Sequence, residues 1–350
     1  MADALISPAV GGAGWLVSAA SVAYASAKIK NELGEKKVPL MAVAASFVFA
    51  AQMINFTIPG TGSSGHIGGG VLLAGLLGPY PALLSLAAVL VIQCLFFADG
   101  GLLALGCNIF NMGVVPCLIV YPLIFKPLLK TGRSAKKVSA VSILAVAAGL
   151  QAGAFGVVAE TQLSGITALP FSVFVLLMQP IHLAIGLVEG VITAGVLNFV
   201  YALRPEIPES VLRGEPLEAG ISLKKVVACL GVITLITGGL LSLFASAYPD
   251  GLEWAMERTL GAGGGAAELE AAGPAFHRAE AIQGATAFMP DYGFPPAEGE
   301  AGSAGGTSLA GVLGSVLTCV LAGGTGYLIY RVKKNRPKAR GAGIKSFRER

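Results

Sequence analysis

Apolar residues in this chain come in long, almost unbroken runs, neither the strict alternation of a half-buried strand nor the narrow stripe of a surface helix. A bilayer core about 30 Å thick takes roughly 20 such residues in a helix. Nine runs approach that size, at approximately 9–29, 39–58, 67–77, 81–98, 102–125, 138–159, 171–203, 223–245 and 309–332. The third is short, which fits a tilted or partly re-entrant segment. The pattern predicts an all-α polytopic membrane protein. Seven helices over 1–203 are followed by a cytoplasmic linker at 204–222, a two-helix hairpin over 223–332 with a long external loop, and a basic cytoplasmic tail at 333–350.

The polar positions between the runs set the orientation. Lys28, Lys30, Lys36 and Lys37 follow the first run; Lys126, Lys130, Arg133, Lys136 and Lys137 follow the fifth; Arg204, Arg213, Lys224 and Lys225 flank the seventh-to-eighth connection; and the tail beyond Tyr330 is rich in Lys and Arg. Basic connections stay inside. The connections near His66, near Asp99, at 160–170 and at 248–307 hold few or no basic residues and belong outside. Nine helices with the N-terminus outside and the C-terminus inside satisfy every loop. The external loop is rich in Gly, Ala, Pro and Glu around 261–275 and 295–306, so it is expected to be flexible outside its two ends.

Composition agrees with the pattern. The chain is 54% hydrophobic and 13% charged, with a mean hydropathy of +0.74, whereas a soluble domain carries about 25% charged residues. Many of the 48 glycines lie inside the apolar runs, where small residues let helices approach closely; Gly149 with Gly153, and Gly186 with Gly190, have the spacing for such contacts. The net charge of +4 reads as a topology signal, and the basic tail has no interleaved aromatics to suggest nucleic acid. Five cysteines without a CxxC pair argue against both disulfides and a zinc site. No basic region precedes the first run, so no cleavable signal peptide is expected.

Chemistry is confined to few places. The stretch 60–70 sets His66 among glycines, a tight loop with one strong ligand group, or else simply a turn with an exposed histidine. Polar residues inside the runs are costly and point to function: Gln52 and Asn55; Gln93, Asp99, Asn108 and Asn111; Gln151; Gln179, His182, Glu189 and Asn198. His182 and Glu189 share a helix face two turns apart and can bridge to a common partner, or serve only to tie helices together at about 1 kcal/mol per hydrogen bond. His277 reads as a solvated surface residue. No GxxxxGK[ST], HExxH or GxSxG occurs, so the chain carries no nucleotide site of its own.

Four stretches taken together resemble the CbiM/NikM family, the substrate-binding membrane component of energy-coupling-factor transporters for nickel or cobalt. They are residues 1–8 (MADALISP), 65–69 (GHIGG), 99–113 with DGGL and GCNIFNMG, and 182–190 (HLAIGLVEG). The match spans roughly residues 1–204. Residues 248–255 (YPDGLEWA) and 290–292 (PDY) resemble the small two-helix CbiN/NikN component, here fused. The resemblance implies capture of transported Ni(II) or Co(II) at the outer face, with no resident cofactor. The ligands it implies are His66 and nitrogens of the extreme N-terminus, here Met1 and Ala2; planar nitrogen donors suit Ni(II), and Co(II) accepts similar ones. Asp99, Asn108 and Asn111 would support the site, with His182 and Glu189 along the pathway. Implied partners are two cytoplasmic ATPases and a transmembrane coupling subunit, in the plasma membrane of a prokaryote.

One departure stands out. The family opens Met-His, then two residues, then an acidic position, whereas Asp3 here follows only Met1 and Ala2. Either this chain starts at an internal methionine with Met-His before it, or the N-terminal ligand has been lost; the persistence of His66, Asp99, Asn108 and Asn111 favours the first. Two other functions stay open on the residues alone: a membrane-embedded enzyme with His182, Glu189 and Asn108 around its cavity, and a secondary transporter independent of ATPases.

Overall fold

Each of the nine apolar runs holds a helix in a computed structural model of the chain, which describes residues 1–29, 34, 36–218, 220–262, 273–294 and 304–335. The first helix, α1 (Pro8–Lys28), starts where Ser7 Oγ accepts from the Val10 amide, with proline at a position that needs no N–H. After α2 (Lys37–Gln52) the chain makes an antiparallel hairpin of β1 (Phe56–Ile58) and β2 (Ser63–Gly65), with Thr57 opposite Ser64. Two helices follow, α3 (Gly70–Leu77) and α4 (Pro79–Phe97).

The next span is continuous but not uniform: α5 (Leu105–Ile109) leads into a π-helical stretch (Phe110–Phe125) and ends in α6 (Lys126–Lys130). Pro116 and Pro122 lie inside it, and a proline deprives the ladder of a donor, which the wider π register accommodates. The antiparallel pair α7 (Ala135–Ser164) and α8 (Phe171–Leu203) comes next. The Gly190 position faces the Ile143 main chain and has no room for a Cβ, so the small residues expected at helix contacts do serve there.

Among the described residues, five helices are long and apolar enough to cross a membrane, at Pro79–Phe97, Leu105–Lys130, Ala135–Ser164, Phe171–Leu203 and Gly305–Lys334. Among the shorter ones, α2 and α10 (Lys224–Gly239) have 16 residues each and α3 has eight. Every residue of α3 is buried, so this short segment is surrounded by protein. The protein is an all-α, multi-pass membrane protein, and its core gathers around α2, α3 and α4 with Leu72, Leu73, Leu77, Val89 and Phe97 fully enclosed.

The stretch read as a linker, 204–222, contains the helix α9 (Glu206–Arg213), which buries Ile207, Val211 and Leu212 against the bundle. One expectation is corrected. The external segment expected to be flexible contains α11 (Gly251–Ala262) and α12 (Pro274–Thr286) before α13 (Ala304–Lys334). Small or apolar residues three to four apart give each a face to bury, with Ala255, Phe276 and Ala279 inside. The remainder of the Gly- and Ala-rich stretches, and the tail beyond residue 335, lie outside the described residues.

Candidate metal centre

The glycine-rich stretch is built, not loose. In the β1–β2 turn, Thr61 Oγ1 donates to the Ile58 carbonyl at 2.8 Å and accepts from the Ser63 amide at 3.0 Å. The hairpin is then gripped from the C-terminal half of the chain: the Ser64 amide donates to the Pro249 carbonyl at 2.8 Å, Ser64 Oγ to the Tyr248 carbonyl at 2.7 Å, and Trp254 Nε1 to the Thr61 carbonyl at 3.0 Å. Beyond His66, the Gly68 and Gly69 amides donate to the two carboxylate oxygens of Glu189 at 2.8 and 2.9 Å. Gly69 has φ 77 with Val48 packed where a Cβ would go, so only glycine fits this turn. From the other side, Gln52 Nε2 donates to the Gly68 carbonyl and Gln93 Nε2 to Gln52 Oε1, each at 2.9 Å.

This scaffold fixes the imidazole. His66 Nδ1 lies 3.1 Å from the Ile67 carbonyl; a carbonyl only accepts, so in the neutral ring the proton sits on Nδ1 and the lone pair on Nε2. His182 is arranged in the same way, with Nδ1 2.8 Å from the Met178 carbonyl.

The N-terminus forms the opposite wall. Leu5 and Ile6 are buried and anchor it. Its Met1 carbonyl accepts from the Gly101 amide at 3.0 Å and Asn108 Nδ2 at 3.3 Å, and Asp3 Oδ1 accepts from the Ala104 amide at 2.8 Å. A Cβ on Gly101 would collide with the Asp3 carboxylate, which explains a glycine beside this acidic residue. Between the two walls lies a cavity of about 150 Å³, roughly ten times the ~15 Å³ that one water requires.

The cavity brings together Met1, His66, Asn108, Asn111, His182 and Glu189. It does not include Ala2 or Asp99; Asp99 is exposed and accepts a hydrogen bond from Tyr292. His182 and Glu189 do not share a partner, since one serves the Met178 carbonyl and the other the loop amides. Three acidic residues were missed from sequence as parts of this region. Asp3 holds the Ala104 amide, Asp250 lines the cavity, and Glu160, expected in a loop, lies within α7 and accepts from Asn111 Nδ2 at 2.7 Å. The acidic position of the N-terminal motif was a usable signal for Asp3, but nothing local marks Glu160 as inward-facing. Among the described residues no group of three or more His, Cys, Asp or Glu side chains is placed to hold a metal ion.

Residues 1–207 match the family model described as the cobalt uptake substrate-specific transmembrane region, CbiM, and residues 224–331 match the PDGLE domain. A putative metal transport protein of Haloquadratum walsbyi is 37% identical over 207 residues, covering 59% of this chain and 91% of that protein. A putative fused nickel transport protein NikMN of Archaeoglobus fulgidus is 36% identical, covering 59% of this chain and 67% of its own length. Among solved structures, the crystal structure of a transition metal transporter superposes with a TM-score of 0.52 at 30% identity, over 59% of this chain and 94% of that one. These are metal transport proteins rather than enzymes. With the family model covering more than half its length, the chain belongs to the CbiM family of nickel and cobalt transport proteins, joined here to a CbiN-like PDGLE domain.

Proposed function

We propose that this chain is the ion-capturing subunit of an ATP-driven energy-coupling-factor importer, which takes transported Ni(II) or Co(II) from the external face in the plasma membrane of a prokaryote. Residues 1–203 form the ion-binding unit, 204–222 the cytoplasmic connection, and 223–332 the two-helix unit with its external segment, with the N-terminus outside. His66 supplies Nε2, and the N-terminal nitrogens of Met1 and Ala2 supply the remaining donors. Asn108 orients the Met1 peptide, Glu189 orients the His66 loop, and Asn111 and His182 line the way inward. Transport draws on two cytoplasmic ATPases and a transmembrane coupling subunit, because the sequence has no phosphate-binding loop.

The observation that carries this reading is the juxtaposition of Met1 and His66 across one cavity, with the His66 ring locked so that Nε2 is left as a ligand. Second contacts that orient a ligating histidine are the usual means of tuning a metal site. His66→Ala should abolish Ni(II) or Co(II) uptake in cells expressing all the subunits, and uptake at the unmutated level would refute the ligand role. Recovery of the ATPase pair on purification of the unmutated chain separates this reading from an ATPase-independent transporter.

A further inference from the structure

The PDGLE domain grips the hairpin that leads to His66, and through Gln283 it also bonds the turn that holds the N-terminus. On α12, Phe276, Ala279 and Gln283 recur at helical spacing; the first two are buried and Gln283 is half-buried, while most of the remaining helix is exposed. A glutamine on the inward face of such a helix needs hydrogen-bond partners. It finds them in the turn between α4 and α5: Nε2 donates to the Cys94 carbonyl at 3.1 Å and to the Gly100 carbonyl at 2.8 Å, and Oε1 faces the Leu102 amide at 3.4 Å. One amide group has two hydrogens, enough for both carbonyls at once, and a carbonyl at the end of α4 has no partner within its helix.

Gly100 and Leu102 flank Gly101, whose amide holds the Met1 carbonyl, and Ala104 just beyond holds Asp3. The same turn is gripped twice more from this domain, by the Met289 amide on the Phe96 carbonyl at 3.3 Å and by the Tyr292 hydroxyl on Asp99. Neither of those contacts touches the residues on either side of Gly101. Among the described residues of this domain, the hydrogen bonds to Gly100 and Leu102 come from Gln283.

We propose that Gln283 is a positioning residue for ion capture: it holds the 99–104 turn in the form that seats Met1 against the cavity, so this side chain tightens ion binding without touching the ion. This rests on the assignment of N-terminal nitrogens as donors. The test uses the full chain in detergent or nanodiscs and two readouts, Ni(II) titration and amide exchange over residues 99–104 in the metal-free protein. Gln283→Met keeps the side-chain volume and removes the amide, and Gln283→Ala serves as a second variant. Both should speed exchange of the Gly101 and Ala104 amides about tenfold and weaken Ni(II) binding about tenfold, the effect expected of an outer-shell partner. Unchanged exchange overturns the proposal whatever the titration gives, and faster exchange with unchanged Ni(II) affinity overturns the link to ion capture. Should the unmutated chain bind neither Ni(II) nor Co(II), the ligand assignment fails, and exchange still decides whether Gln283 holds the turn.

Discussion

Glu189 shows how little of a polar residue's task its neighbours in sequence reveal. A carboxylate inside an apolar run was legible as functional from its cost alone. Its partners were not, because the Gly68 and Gly69 amides lie more than a hundred residues away. Both oxygens are needed there, since each accepts one amide. A glutamine at this position offers one acceptor and one NH2 group, so one loop amide would face a donor and the His66 turn would shift. Glu189→Gln is therefore expected to weaken Ni(II) binding by roughly 10–100-fold, as loss of an orienting partner does. Titration of the purified chain checks this, and His66→Ala in the same assay gives the level of full ligand loss. The N-terminal departure is also a residue-scale matter. Placing Met-His before Met1 restores the family's spacing to Asp3, and a chain so extended should bind Ni(II) more tightly than the chain starting at Met1; equal affinity in the same titration would contradict that expectation.

Elements were legible in proportion to their apolar length. Each of the nine runs holds a helix, and for those of about twenty residues a bilayer leaves no alternative that satisfies the main-chain groups; the shorter α3 is enclosed by protein instead. The β1–β2 hairpin was hidden, since its strands are three residues long and Ser63, Ser64 and Gly65 have no strand preference; it is held by the Tyr248 and Pro249 carbonyls from distant sequence. The helices α9, α11 and α12 were likewise read as linker or flexible loop, because each is short and charged and lies beside Gly- or Pro-rich sequence, so its apolar face gains stability only against a partner surface. The clearest element-scale test lies where the hairpin passes into α3. Gly69→Ala forces a side chain into the left-handed region and against Val48, and should destabilise the protein by about 1–3 kcal/mol. Pairing it with Val48→Ala should recover the part due to the collision but not the part due to φ, as measured by thermal unfolding of the single and double variants.

At the scale of the whole molecule, the C-terminal unit is attached along its sides more than by its connection. Ser46 Oγ on α2 donates to the Ser315 carbonyl on α13 at 2.8 Å, and Tyr292 stacks on Phe97 with ring centroids 4.9 Å apart and meets Phe49 edge-on. Burial and the adjacent Asp99 carboxylate hold the Tyr292 hydroxyl well above its ordinary range, which lies near about 10. The folded state thus keeps this proton where the unfolded chain loses it, so the contribution is complete below about pH 10 and is lost as the pH rises beyond it. Tyr292→Phe should flatten that alkaline loss of stability, a difference visible in unfolding midpoints measured on both sides of the transition. The covalent connection, by contrast, passes through the exposed residues Glu215 and Pro216 after the buried helix α9. Chains 1–215 and 216–350 expressed together should therefore assemble in the membrane and co-purify, because the α2–α13 contact and the grip of α12 on the α4–α5 turn do not depend on the peptide bond. Separate elution of the two pieces would show that fusion, and not lateral packing, keeps the C-terminal unit on the ion-binding one.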